Sequence, residues 1–141
     1  MRIMAIDYGD AHTGIAISDP TGLLAGFTTV INAYRPDRVT GQIALLAKEH
    51  RVERLGLGHP INMDGTRGPR SEKAQAMRQL LEETTGLTVV LWDERRTTID
   101  AHQILMSSGK NAKKRKKVVD AVAASLILEG YLTYLKTHPE G

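Results

Sequence analysis

The chain has 141 residues, a net charge of +3 at pH 7 and no cysteine. This length suits one domain with a sizeable core, and the lack of cysteine excludes disulfides, zinc–thiolate sites and thiol catalysis. No apolar run approaches the roughly 20 residues of a membrane span, and no signal-peptide pattern is present, so we expect a single cytoplasmic domain over residues 1–141.

The first part of the sequence predicts three strands. Residues 2–7 form a short apolar run, and residues 15–19 follow a turn that Gly9 and Gly14 bracket. A third strand is predicted over residues 24–32. Because the connections are short, these strands can pair as an antiparallel meander.

Helices and strands then alternate along the chain. The spacing of apolar residues and the positions of proline and glycine define the later segments. These are a helix with its first turn at Pro36 and Asp37 and apolar residues from 39 to 47, a strand at 54–58, a helix near 71–85, a strand at 88–92 and helices near 97–108 and 116–136. The order βββαβαβα predicts an α/β domain, a mixed five-stranded sheet flanked by helices.

Carboxylates stand at three places where the surrounding sequence is apolar. Asp7 ends the first strand, Asp93 and Glu94 follow the last strand, and Asp120 is the only ionisable residue in Val118–Leu128. Burying a bare carboxylate is costly, so such acids are normally paired, hydrogen-bonded or metal-bound. Each could be structural alone, through turn chemistry, surface ion pairs or a nearby lysine. Together, on separate elements, they indicate one oxygen-only site for a hard cation.

Cationic residues are concentrated near the last helix. Residues 110–117 hold six cations, and removing these six charges from +3 leaves −3. Such a cluster indicates a polyanion partner, with a solvated loop tip as the alternative. The polar loop 59–69 and the segment after the last strand offer further phosphate contacts. The candidate nucleic-acid-binding residues are Arg95, Arg96, Asn62, Thr66, Arg67, Lys113, Lys114, Arg115, Lys116 and Lys117.

Four ordered segments together resemble the YqgF/RuvX family, whose members are named as Holliday junction resolvases or pre-16S rRNA nucleases. The resemblance runs from residue 2 to about residue 134. It implies an RNase H-like fold and a nuclease that hydrolyses phosphodiester bonds with two Mg²⁺ or Mn²⁺ ions. The segments are Asp7-Tyr8-Gly9…Thr13-Gly14-Ile15-Ala16…Ser18-Asp19, Pro60–Thr66, Asp93–Thr98 and Asp120–Leu128.

The resemblance also implies roles for the acids. Asp7, Glu94 and Asp120 would be catalytic and would hold the metal ions. Asp93 is the alternate to Glu94, because neighbouring residues on a strand face opposite sides. His12 and His59 depart from the family pattern, which usually has Arg or Lys and Leu there. These departures bear on substrate affinity more than on the metal site.

Several functions are compatible with these features. Processing of the 5′ end of pre-16S rRNA ranks first. Resolution of four-way DNA junctions ranks second, because symmetric cleavage requires a dimer and the sequence shows no clear self-complementary apolar face. A nucleic-acid-binding module without catalysis is a third reading, and an actin-like nucleotide-binding domain is last, since that architecture normally needs two such domains. We expect precursor rRNA or branched DNA as partner, no membrane, and a monomer or weak homodimer.

Overall fold

The computed structural model describes residues 1–21, 25–60, 68–93 and 112–138, with residues 112–120 described by their backbone alone. A five-stranded sheet with strand order β3-β2-β1-β4-β5 lies at the centre. The strands are β1 (Ile3–Asp7), β2 (His12–Ser18), β3 (Ala25–Asn32), β4 (Arg54–His59) and β5 (Thr88–Asp93). The helices are α1 (Pro36–Glu49), α2 (Pro69–Thr85) and α3 (Ala112–Thr137).

The strand directions confirm the predicted mixed sheet. β1, β2 and β3 pair antiparallel as a meander. β4 pairs parallel with β1, and β5 pairs parallel with β4, with α1 and α2 as the crossover helices. Because the crossovers return the chain in the same direction, the carboxyl ends of β1, β4 and β5 meet at one end of the sheet.

Side chains of β1 alternate between two apolar clusters. Met4 and Ile6 pack with residues of α1 and α2, whereas Ile3 and Ala5 pack with residues of α3 such as Leu128. A strand that is covered on both faces needs apolar residues at successive positions, which explains the run at the start of the sequence. The sheet therefore lies between α1 and α2 on one side and α3 on the other.

Two predicted boundaries were wrong. β2 begins at His12, and Gly14 lies within it opposite Asp7, because β3 supplies pairing partners as far back as Asn32 opposite His12. α3 begins at Ala112, so the basic segment is helical from that residue onward. Neighbouring like charges weaken an isolated helix, but here the following turns pack on the sheet. The predicted helix at 97–108 lies outside the described residues.

Among the described residues, no helix combines the length and apolar character that crossing a lipid bilayer requires.

Candidate functional site

Asp7 ends the middle strand of the sheet. Neighbouring residues of a strand face opposite sides, so Asp7 lies on the face opposite to Ile6 and on the same face as Ala5, which α3 covers. Its partner on β2 is Gly14. Because glycine has no side chain, nothing from this partner fills the face beside the half-buried Asp7. The carboxylate therefore lies where a ligand could approach it from the α3 side.

The alternation along β5 separates Asp93 from Asp7. Trp92 packs in the α3 cluster, whereas Leu91 packs against the α1 and α2 cluster. Asp93 has the face of Leu91, opposite to the face of Asp7. Glu94 lies outside the described residues. Trp92 is only 6% exposed and contributes to the core.

Asp120 lies in the N-terminal half of α3, in the part described by its backbone. It precedes the fully buried Ala124 by four residues, and Ile127 and Tyr131 continue the same row. Positions at this spacing share one side of a helix, and here that side packs on the sheet. Asp120 is therefore placed in the sheet-facing row of α3, which contacts β1, β2 and β3.

The predicted acids fit a hard cation by their chemistry, since all of them offer carboxylate oxygens. Within the part of the chain whose side chains are described, no three His, Asp or Glu residues gather into a metal-binding group. That part contains Asp7 and Asp93, which lie on opposite faces. Glu94 and the side chain of Asp120 fall outside it.

The two histidines that depart from the family pattern both form hydrogen bonds. The His12 Nδ1 lies 2.6 Å from the Asn32 Oδ1 at the exposed end of the β2–β3 pair. The His59 Nε2 lies 2.6 Å from the Ser71 Oγ, and both residues are buried. His59 therefore links the end of β4 to the first turn of α2, which is a structural role.

The nucleic-acid contacts predicted from the sequence fall in two groups. The group in the first two turns of α3 is described by its backbone alone, and helical spacing places Lys113 and Lys117 in the row of Asp120. Outside the described residues lie Asn62, Thr66, Arg67, Arg95 and Arg96, and in the first two turns of α3 lie Lys113, Lys114, Arg115, Lys116 and Lys117.

A cavity of about 110 Å³, which was not predicted from the sequence, lies at the same end of the sheet, on the α2 side. The loop after β1, the end of β4 and the first turn of α2 enclose it. Its only sequence signal is the pair Arg70 and Lys73, which are three residues apart and so share a side of α2. The lining residues are Tyr8, Gly9, Asp10, Gly58, Pro60, Arg70, Lys73 and Ala74.

Tyr8 lines this cavity, and the pKa of its hydroxyl is raised. Burial raises the pKa of its hydroxyl, Asp10 raises the pKa further, and Lys73 acts in the opposite direction. The Lys73 Nζ lies 3.0 Å from the Asp10 Oδ1, so α2 is joined to the loop after β1. The Tyr8 hydroxyl therefore stays protonated at neutral pH and is available as a hydrogen-bond donor.

Comparisons with known proteins are consistent over nearly the whole chain. The family profile RuvX, described as Holliday junction resolvase, matches residues 1–134. A protein of Halothermothrix orenii named "Putative pre-16S rRNA nuclease" is 43% identical over 134 residues, covering 95% of this chain and 96% of the relative. A Bacillus subtilis protein with the same name is 42% identical over 137 residues, covering 96% and 99%.

A solved structure is similar in fold. The Thermus thermophilus RuvC chain in complex with a Holliday junction substrate superposes with a TM-score of 0.63 at 17% identity, covering 95% of this chain and 96% of that one. The sheet order, the mixed strand directions and this similarity identify the fold as RNase H-like, as the resemblance implied.

Proposed function

The chain belongs to the RuvX family, a family of nucleases, and we propose that it is a metal-dependent nuclease that processes the 5′ end of pre-16S rRNA. The observation that carries the proposal is the position of Asp7, a carboxylate at the end of the middle strand on the face that α3 covers. The substrate is proposed from the names of relatives that are about 40% identical over nearly their full length.

The lengths of β1 and α3 support a site shared by Asp7 and Asp120. The Arg54 guanidinium donates to the Tyr131 hydroxyl at 3.2 Å, which ties the C-terminal half of α3 to the start of β4. From Tyr131 towards its N-terminus, α3 continues over the sheet, because Ala124 is buried against the sheet. Asp120 is about 16 Å from Tyr131 along the helix, and Asp7 is about 13 Å along β1 from its start. These similar lengths allow both acids to reach the same end of the sheet.

The faces of β5 favour Glu94 over Asp93 as the third acid. Asp93 lies on the face of the sheet opposite to that of Asp7. Glu94 directly follows Asp93 in the sequence, and neighbouring positions of a strand face opposite sides. We therefore propose Asp7, Glu94 and Asp120 as the residues that would hold Mg²⁺ or Mn²⁺. Two such ions, when bound, would activate a water molecule and stabilise the leaving 3′-oxygen.

Cationic residues would hold the substrate strand. Lys113 and Lys117 precede Asp120 at helical spacing along the backbone of α3, and we propose that they contact the substrate strand near Asp120. Each phosphate that these residues neutralise releases counterions, so binding should weaken steeply as salt rises. We propose the same role for Arg95, Arg96, Asn62, Thr66, Arg67 and the remaining cations of residues 113–117.

The test compares cleavage of a labelled pre-16S rRNA 5′ fragment and a four-way DNA junction with Mg²⁺, Mn²⁺ or EDTA. Asp7→Asn should lower the rate at least about a thousandfold, because metal-ion stabilisation of several kcal/mol corresponds to that factor. It should leave the urea unfolding midpoint and the affinity for RNA nearly unchanged. Loss of folding in this variant would instead identify Asp7 as a structural acid.

A matched pair of variants separates the two acids at the end of β5. Glu94→Gln should behave like Asp7→Asn in cleavage and in Mn²⁺ binding measured by calorimetry, whereas Asp93→Asn should retain most activity. The reverse result would show that the face alternation does not determine the ligand.

The choice of substrate decides between the remaining functions. Junction resolution is the second candidate because the matching family profile is described as Holliday junction resolvase. Preferential cutting of the junction would replace the rRNA proposal with that one, and sedimentation would then have to show a dimer rather than the monomer or weak homodimer we propose. Binding of both substrates with no cleavage under any metal condition would favour a non-catalytic binding module.

A further inference from the structure

The cavity beside α2 has the composition of an anion site rather than of a gap in the core. Two cationic side chains line it, Arg70 and Lys73, and the loop after β1 brings the backbone of Gly9 close to them. Ala74 and Pro60 contribute apolar surface to the wall beside these charged side chains. A dry apolar void would lack these polar groups.

Charge and hydrogen-bonding capacity remain available in this cavity. Arg70 forms no ion pair or hydrogen bond with any other described residue. Lys73 uses one of its three donor hydrogens on Asp10, whose side chain is 81% exposed. Among the described residues that line the cavity, the fixed charges of Arg70, Lys73 and Asp10 therefore sum to +1.

The position of the cavity relates it to the proposed nuclease site. Tyr8 and Gly9 directly follow Asp7, and Gly58 is the penultimate residue of β4, the strand beside β1, so the cavity opens at the end of the sheet where Asp7 lies. Asp7 faces α3, whereas the cavity faces α2. A nucleic-acid strand that crosses this end of the sheet would pass both Asp7 and the cavity.

We infer that the cavity lined by Arg70, Lys73 and the backbone of Gly9 and Gly58 binds a phosphate group of the nucleic-acid strand. The guanidinium can donate two parallel hydrogen bonds to phosphate oxygens, and Lys73 adds a compact positive charge. The phosphate could be an internal phosphodiester or a terminal 5′-phosphate, which share this chemistry. The assignment to a nucleic-acid strand rests on the proposed function, whereas the capacity to bind phosphate does not.

The first experiment measures phosphate binding without any nuclease assay. Inorganic phosphate is titrated into the full-length protein, with sodium chloride of equal ionic strength as reference, while the amide signals of Gly9 and Gly58 are followed by NMR. We expect both signals to shift to saturation in wild type and Arg70→Gln to abolish the shifts. Absence of shifts in wild type would overturn the inference.

A matched variant controls for the loss of one charge. Arg78 lies two turns further along α2 and pairs with Glu82 at 3.3 Å, away from the cavity. Arg78→Gln should therefore leave the phosphate titration unchanged. Asp10→Asn should tighten phosphate binding at least about threefold, because it removes the negative charge next to Lys73. Equal effects of Arg70→Gln and Arg78→Gln would reduce the site to general surface charge and overturn the inference.

Oligonucleotides identify the source of the phosphate. In EDTA, a 5′-phosphorylated strand that binds tighter than its 5′-hydroxyl counterpart, with the difference lost in Arg70→Gln, would assign a terminal phosphate. Equal binding of both strands to wild type, with a salt slope lower by about 1 in Arg70→Gln, would assign an internal phosphate. No change of either kind would overturn the nucleic-acid assignment.

The two proposals fail in different ways. Phosphate shifts at Gly9 and Gly58 without cleavage of any substrate would leave this inference standing and remove the proposed nuclease activity. Cleavage without phosphate shifts would do the reverse.

Discussion

Replacing Gly9 by alanine tests how tightly the turn after Asp7 is built. A Cβ atom on Gly9 would collide with the carbonyl oxygen of His12, a backbone atom that cannot rotate away. His12 pairs with Asn32 on β3, so relief requires β2 or the loop to move. Overpacking of this kind costs about 1–3 kcal/mol, or roughly 3–12 °C in Tm for a chain of this length.

Gly41→Ala is the matched control for this variant. Gly41 lies in the middle of α1, and no atom outside the helix's own neighbours lies within 4 Å of a Cβ placed there. Alanine should therefore stabilise the protein by about 0.5–1 kcal/mol through its helix propensity. The same chemical change should thus have opposite effects at the two positions.

Urea unfolding followed by circular dichroism measures both variants, and the cleavage assay is run beside it. We expect Gly9→Ala to unfold at lower urea and to cut more slowly, because Asp7 is only two residues away. A Gly9→Ala midpoint equal to or above that of wild type would refute the argument and show that the turn accommodates a side chain without strain.

Two further predictions concern α3 and the cavity. Leu128→Ala should lower the free energy of unfolding, measured in urea, by about 2–5 kcal/mol, because Leu128 is fully buried between α3 and the sheet. Leu45 is 68% exposed, so Leu45→Ala should change the free energy of unfolding by no more than about 0.5 kcal/mol. Tyr8 should titrate above its ordinary pKa in an absorbance or NMR titration, and Asp10→Asn should lower its pKa. Because the pKa of Tyr8 is raised in the folded state, the contribution of Tyr8 to stability is complete below pH 10 and falls as the pH rises through the folded-state pKa. A urea midpoint that increases over this pH range would contradict the prediction.

The order of the elements could be predicted because each signal is local. β1 is a continuous apolar run because both of its faces are covered, and α1 repeats apolar residues at helical spacing around Ile43. The start of β2 could not be predicted, because His12 to Gly14 are strand residues only through their partners on β1 and β3. Pairing between distant segments overrides the turn tendency of glycine.

The candidate site divides in the same way. Asp7 and Asp120 stand out in the sequence because a charge interrupts an apolar pattern. Strand alternation alone left Asp93 and Glu94 open, because it does not say on which face β5 starts; the structure puts Asp93 on the face opposite to Asp7. Beyond the pair Arg70 and Lys73, the cavity beside α2 has no local pattern, because Gly9, Gly58 and Arg70 come from three segments that only the tertiary structure brings together.

The packing of α3 has a consequence for the order of events during synthesis. Ile3, Ala5 and Ala16 belong to the first two strands, yet α3, the last described helix, covers them. During translation these strands must therefore wait, with one apolar face open to solvent, until more than a hundred further residues have been made. Since the proposed site joins an acid of the first strand to one of that helix, a nascent chain should be unable to cut RNA before its C-terminal segment has emerged and docked.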